Sequence, residues 1–202
     1  MDLIKLKIEE GLLRKGYLKI AGIDEAGRGP LAGPVVAACA IMDLNNLIEG
    51  IDDSKKLSHK KRAALLEEIL ENAVSYGVGI VDIDIIEEIN IYQAAKLAMK
   101  IACENMKIKP DYVICDAMKG LEIPYPQEGI IKGDSKSYTI GAASIIAKET
   151  RDNIMIEYDR MYPEYGFAQH KGYGTKQHID ALQKHGPCEI HRPSFLKKIL
   201  GN

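Results

Sequence analysis

Two apolar, β-prone runs, Leu18–Ile23 and Val35–Ile41, flank a Gly/Pro-rich connection, Ala26–Pro34, and no other stretch constrains the fold as strongly. β-branched and apolar runs bounded by glycine and proline read as strands joined by a turn. The pair is therefore a hairpin. Its second run is apolar throughout, as in a strand covered on both faces, so further elements have to enclose it.

Those elements follow in the sequence. Helical spacing of apolar residues runs through Asp2–Lys15 and closes at Gly16. Ser58 caps a helix whose Leu65, Leu66, Ile69 and Leu70 share one face, and Val74–Val81 reads as a strand. Asn90 followed by Gln93 opens a helix to about Met106, which Pro110 stops. Tyr112–Cys115 and Gly129–Ile131 are short strands. Ser137–Arg160 is a long helix in which Gly141, Ala142, Ala143 and Ser144 permit close approach to a sheet. Thr175 caps a helix that ends at Gly186, and a C-terminal tail follows. The expectation is an α/β fold with a mixed central sheet flanked by helices, in one domain over 1–202. Its core spans about 18–160, and about 161–202 forms a C-terminal helical extension that contributes to substrate binding.

Composition narrows the function. Hydrophobic residues make up 46% and charged residues 28%, enough apolar material for a core. No run approaches the roughly 20 apolar residues of a membrane span, so no membrane partner and a cytoplasmic location are expected. Cys39, Cys103, Cys115 and Cys188 form no C-x-x-C pair, which argues against zinc or a disulfide framework. The net charge of −2 gives no long-range attraction to phosphate, so nucleic-acid binding would need a local patch. Three runs qualify: Lys55, Lys56, Lys60, Lys61 and Arg62; Lys132, Lys136, Lys148 and Arg151; and Lys171 with Lys176. On charge alone, a solvated helix face is the more common reading of each run.

The chemistry concentrates in carboxylates at strand ends. Asp24 and Glu25 follow the first strand, Asp116 the Tyr112–Cys115 strand, and Asp134 the Gly129–Ile131 strand. Ends of neighbouring strands converge on ligands in sheets of this class. Carboxylates without histidine or cysteine are hard oxygen donors, suited to Mg²⁺ or Mn²⁺. Each acid also has a structural reading, Asp134 as a helix cap above all. Consecutive strand residues point to opposite faces, so Asp24 and Glu25 require the strand to bend or end there.

The glycines exclude one class. Gly22, Gly27 and Arg28 lack the lysine of a P-loop, and Gly27, Gly29 and Gly33 miss G-x-G-x-x-G by one residue, so no organic nucleotide cofactor is expected. Gly27-Arg28-Gly29 instead lets main-chain groups approach a sugar and its 2′-hydroxyl. Tyr173, between Gly172 and Gly174, is either a buried core ring or an exposed stacking surface.

The stretch Ile23-Asp24-Glu25-Ala26-Gly27-Arg28-Gly29-Pro30-Leu31-Ala32-Gly33-Pro34-Val35-Val36 resembles ribonuclease HII. So do Asp52-Asp53-Ser54-Lys55-Lys56-Leu57-Ser58, Gly133-Asp134-Ser135, Ala142–Lys148, Arg151-Asp152, His170–Thr175 and His191–Phe195. The resemblance runs from about Ile20 to Phe195. It implies a ribonuclease H-like fold and a two-ion Mg²⁺ or Mn²⁺ site at Asp24, Glu25, Asp116 and Asp134. It also implies ribonucleotide recognition by Gly27, Arg28 and Gly29, and stacking of Tyr173 on the sugar of the next deoxynucleotide. The implied substrates are RNA/DNA hybrids and duplex DNA containing ribonucleotides, and a monomer is expected. Charge and loop position add Lys55 and Lys56 as contacts to DNA phosphates. The related ribonuclease HIII commonly carries Glu at the fourth acidic position. Other readings of the residues alone are a junction resolvase with the same carboxylate chemistry and a non-catalytic nucleic-acid-binding module.

Overall fold

The computed structural model describes residues 3–52, 54 and 57–200. Lys55 and Lys56 lie outside them. A 3-10 turn, Leu3–Leu6, leads into α1 (Lys7–Arg14), and the hairpin follows as β1 (Ile20–Ala26) and β2 (Val35–Met42). Then come α2 (His59–Asn72), β3 (Ala73–Val81), α3 (Ile83–Glu104), β4 (Tyr112–Asp116) and β5 (Gln127–Ile130). The rest is helical: α4 (Gly133–Lys136), α5 (Tyr138–Met161), α6 (Phe167–His170), α7 (Lys176–His185) and α8 (Pro193–Leu200).

The strands form one sheet in the order β3-β2-β1-β4-β5. β2 runs antiparallel to both of its neighbours, β1 and β3, whereas β1–β4 and β4–β5 run parallel. The sheet is mixed, as the early hairpin and later alternation require. β2 is buried along its whole length, consistent with its unbroken apolar run. One core lies between the sheet and α3, where Ile23, Cys39, Met99 and Cys115 meet; the other holds Ala38, Ile69, Ala143 and Ile146 beneath α2 and α5. A third cluster joins Leu31 and Ala32 to Met155, Phe167, Leu182 and Leu196, seating the C-terminal helices on the turn after β1.

Three local expectations change. β1 does not bend at Asp24, because its register with β2 continues from Asp24↔Ala38 through Glu25↔Ala37 to Ala26↔Val36. The partner strand supplies hydrogen bonds that keep the chain extended past the acids. The helix expected from Asn90 begins earlier, at Ile83, and is interrupted at Asn90 (φ 66°, ψ 162°). Asn90 still caps the second half, its side-chain oxygen accepting the N–H groups of Tyr92 and Gln93. Asparagine tolerates positive φ, so the kink and the cap share one residue. The C-terminal tail is a helix, α8, whose Leu196 packs into the third cluster.

Close approach of α5 to β1 sets the site. A Cβ on Gly22 would overlap the Thr139 and Ile140 backbone, so only glycine lets the helix lie this near the strand. The small residues expected to matter on α5 are thus matched by one on β1. Gly22→Ala should destabilise the protein by about 3 kcal/mol through overpacking against rigid backbone. A lowered urea midpoint with unchanged m-value is the expected result.

Candidate active site

Asp24 and Glu25 stand near the carboxyl end of β1, and Asp116 ends the neighbouring β4. Pairing between these strands stops at Ile23↔Cys115, so the acids lie where the two strands part. Alternation separates the first two: Asp24 turns toward α5 and Ser144, and Glu25 toward the face that carries Cys115. Oδ1 of Asp116 accepts the N–H of Gly133 at 2.7 Å, which ties the β4 tip to the turn bearing Asp134. Asp134 is buried in α4, and the cap of α5 is Ser137, whose hydroxyl oxygen accepts the Ile140 N–H at 3.1 Å. The capping role considered for Asp134 therefore belongs to Ser137.

Electrostatics make this corner costly without a cation. Burial raises the Asp24 carboxyl well above the usual carboxylate range, and repulsion from Glu25 and Asp116 adds to it. The Ser144 hydroxyl and the Glu25 N–H, which donates to Asp24 Oδ1 at 2.8 Å, oppose that rise. Glu25 accepts from Arg28 Nη1 at 3.0 Å. Among the described residues, no three His, Cys, Asp or Glu side chains are close enough to hold a metal ion as they stand. The fit to a divalent ion lies in donor chemistry and charge: oxygen ligands that repel one another until a cation arrives.

A cleft of about 320 Å³ lies beside the acids, lined by Asp24, Glu25, the Gly27–Gly29 turn, Ser54, Ser144, Lys148 and Tyr173. Gly27 has φ +99°, and a Cβ there would strike Arg151. Tyr173 is 42% exposed, which excludes the buried-ring reading. Its ring lies over Gly29, whose added Cβ would sit 3.9 Å from Cε1. Lys148 Nζ and Arg151 Cζ stand 5.9 and 6.0 Å from the ring centroid.

Two buried guanidiniums hold this arrangement. Arg192 donates to the carbonyl oxygens of Gly27 (2.7 Å), Arg28 (3.3 Å), Pro30 (2.9 Å) and Gly33 (2.6 and 2.9 Å). Arg151 donates to Ala32, Pro34 and Lys171 oxygens, each at 3.0 Å. Arg62 is likewise buried, bonded to Glu149 at 2.6 Å and to the Ser54 and Leu57 carbonyls. Arg62 and Arg151 therefore drop out of the phosphate-facing patches considered from sequence: they organise loops from within. Sequence reasoning also passed over Ser144 as a site residue. The available signal was a polar stripe, Ser144, Lys148, Arg151 and Asp152, at helical spacing on an otherwise buried helix. Arg192 offered no comparable sign, since its partners lie more than 150 residues away.

The family model for ribonuclease HII matches residues 21–198. The chain belongs to the ribonuclease HII family. A ribonuclease HII from Caldicellulosiruptor bescii is 57% identical over 194 residues, covering 96% of this chain and 94% of the relative. The crystal structure of ribonuclease H2 from Pyrococcus horikoshii OT3 superposes with TM-score 0.76 at 27% identity, over 90% of this chain and 97% of that one. Bst-RNase HIII, solved in complex with Mn²⁺, shares the fold at TM-score 0.68 and 19% identity, over 91% of this chain and 70% of that one. As a ribonuclease HII, the chain is a nuclease with ribonuclease H activity on RNA/DNA hybrids. No described helix is long and apolar enough to cross a membrane.

Asp24→Asn ends the carboxylate repulsion, so the metal-free variant should be more stable than the parent by about 1–2 kcal/mol. The folded-state value of Asp24 lies above its unfolded one, so the unfolded chain loses this proton first as pH rises. Stability of the metal-free parent then falls across that window, and the variant lacks this slope. Urea titrations over pH, with and without Mg²⁺, check both, and Mg²⁺ should stabilise the parent more than the variant.

Proposed function

We propose that this ribonuclease HII cuts the RNA strand of hybrids and also incises 5′ to single ribonucleotides embedded in duplex DNA, leaving 3′-hydroxyl and 5′-phosphate ends. The observation that carries the reading is one cleft lined at once by Asp24 and Glu25, by the Gly27–Gly29 turn and by Tyr173. Asp24, Glu25, Asp116 and Asp134 would hold two Mg²⁺ or Mn²⁺ ions. Bound there, the ions supply an activated water and offset charge on the scissile phosphate and leaving 3′-oxygen. Mn²⁺ in the solved Bst-RNase HIII complex supports this choice of metal.

The protein's own groups read the sugar. With the carbonyls of Gly27 and Arg28 turned to Arg192, the amide edge of the turn is left for a ribose 2′-hydroxyl, which DNA lacks. Tyr173 offers its exposed ring to the sugar of the following deoxynucleotide. Lys148 and Arg28 line the cleft wall but are ion-paired to Asp152 at 2.6 Å and to Glu25 at 3.0 Å, so with a net charge of −2 the cations held by the acids would supply most of the charge that draws the phosphate in. Lys55 and Lys56 contact phosphates of the DNA flank.

A duplex bearing one ribonucleotide should be cut 5′ to it with Mg²⁺, on the order of 10⁴-fold faster than an all-DNA control. Comparable cutting of both duplexes overturns ribose recognition, and full activity in Asp24→Asn overturns the metal assignment. Tyr173→Ala should lose about tenfold on this substrate, in keeping with one lost stacking contact.

A further inference from the structure

His170, His178 and His191 are buried beneath the loop that carries Tyr173. His178 Nδ1 lies 3.0 Å from the Tyr173 carbonyl oxygen, and its Nε2 lies 3.0 Å from Nε2 of His191. Nδ1 of His191 is 2.9 Å from the Cys188 amide nitrogen. Burial pushes His178 and His191 down to about 4, so each ring carries a single proton at neutral pH. A carbonyl only accepts and a backbone N–H only donates. One assignment therefore satisfies the chain of contacts: Cys188 N–H donates to His191 Nδ1, His191 Nε2–H to His178 Nε2, and His178 Nδ1–H to the Tyr173 carbonyl. The Cys188 carbonyl, 3.3 Å from His191 Nδ1, could accept a proton from that nitrogen only by leaving either two bare Nε2 lone pairs face to face or a bare His178 Nδ1 against the Tyr173 carbonyl.

His170 secures the preceding residue. It stacks on His178 with centroids 4.4 Å apart, and its Nδ1 accepts the Gly172 N–H at 3.2 Å. The exposed ring of Tyr173 thus rises from a backbone held by imidazoles, and Arg192, next to His191, holds the turn beneath that ring.

We propose that His178 and His191 are positioning residues: their one-directional hydrogen-bond relay fixes the Tyr173 ring over Gly29, and so sets the preference for a ribonucleotide–DNA junction over a continuous hybrid. This rests on the reading of Tyr173 as the stacking surface. The relay carries no reacting atom and acts only through the Tyr173 backbone.

Long-range ¹H–¹⁵N spectra of the unaltered protein at pH 7 should show His178 protonated on Nδ1 and His191 on Nε2. The reverse tautomer at His178 overturns the relay, whether or not any variant folds. In kinetics, the readout is kcat/KM on a single-ribonucleotide duplex divided by that on a continuous hybrid. His178→Phe should lower this ratio about tenfold, and His178→Asn, which keeps a donor near the Nδ1 position, should restore most of it. An equal loss on both substrates, or none, overturns the proposal. Tyr173→Ala is measured alongside. Should it leave the ratio unchanged, the stacking reading fails and the relay's proposed role with it; should it lower the ratio while His178→Phe does not, the relay alone fails.

Discussion

Arg192 has no solvent exposure, and the turn after β1 is built around it. A buried guanidinium is tolerated only where its donors are satisfied, because an uncompensated charge in the interior costs several kcal/mol. Here the partners are carbonyl oxygens of Gly27, Arg28, Pro30 and Gly33. Burial, and then the neighbouring Arg151, pull its proton affinity down to about 9, still well above neutrality, so the cation persists. The turn cannot relax away from Arg192 without stranding that charge. Everything that faces the cleft from this turn, including the Gly29 floor under Tyr173, inherits its position from that constraint.

On the other side of the cleft the balance of charge is reversed. Asp24 is buried beside acids that repel it, and its direct compensation comes from a hydroxyl and an amide rather than a cation. Rigid backbone keeps the acids together: β1 is locked between β2 and β4, and α5 is pressed on Gly22. Stability from the sheet thus holds carboxylates where they would not choose to be, and this tension suits them to a divalent cation. The same helix brings Ser144 and Lys148 to the cleft and Arg151 to the loops behind it.

Many of these features could be read along the chain. The hairpin, the capping serine and threonine at Ser58 and Thr175, and the long α5 all carry local signals, and all appear where those signals place them. The continuation of β1 through Asp24 and Glu25 had no such signal, because cross-strand hydrogen bonds from β2 overrode the glycine that follows. The early start of α3 was hidden by Asn90, which marks a helix beginning even where a helix already precedes it. Arg62 and Arg151 looked like surface charge, since a run of basic residues gives no hint that Glu149 or a set of carbonyls awaits inside.

The α/β class, the ribonuclease HII resemblance and the acids expected to form the site were legible along the chain, because periodicity, capping and motif are properties of neighbouring residues. Tertiary structure alone decided that Tyr173 is exposed over Gly29, that Ser144 bonds Asp24, and that Arg192 and the histidines brace the cleft from behind. Those contacts join residues up to 165 positions apart. Whether a charge or ring is buried, paired or exposed depends on what the fold brings against it, and no local pattern carries that information.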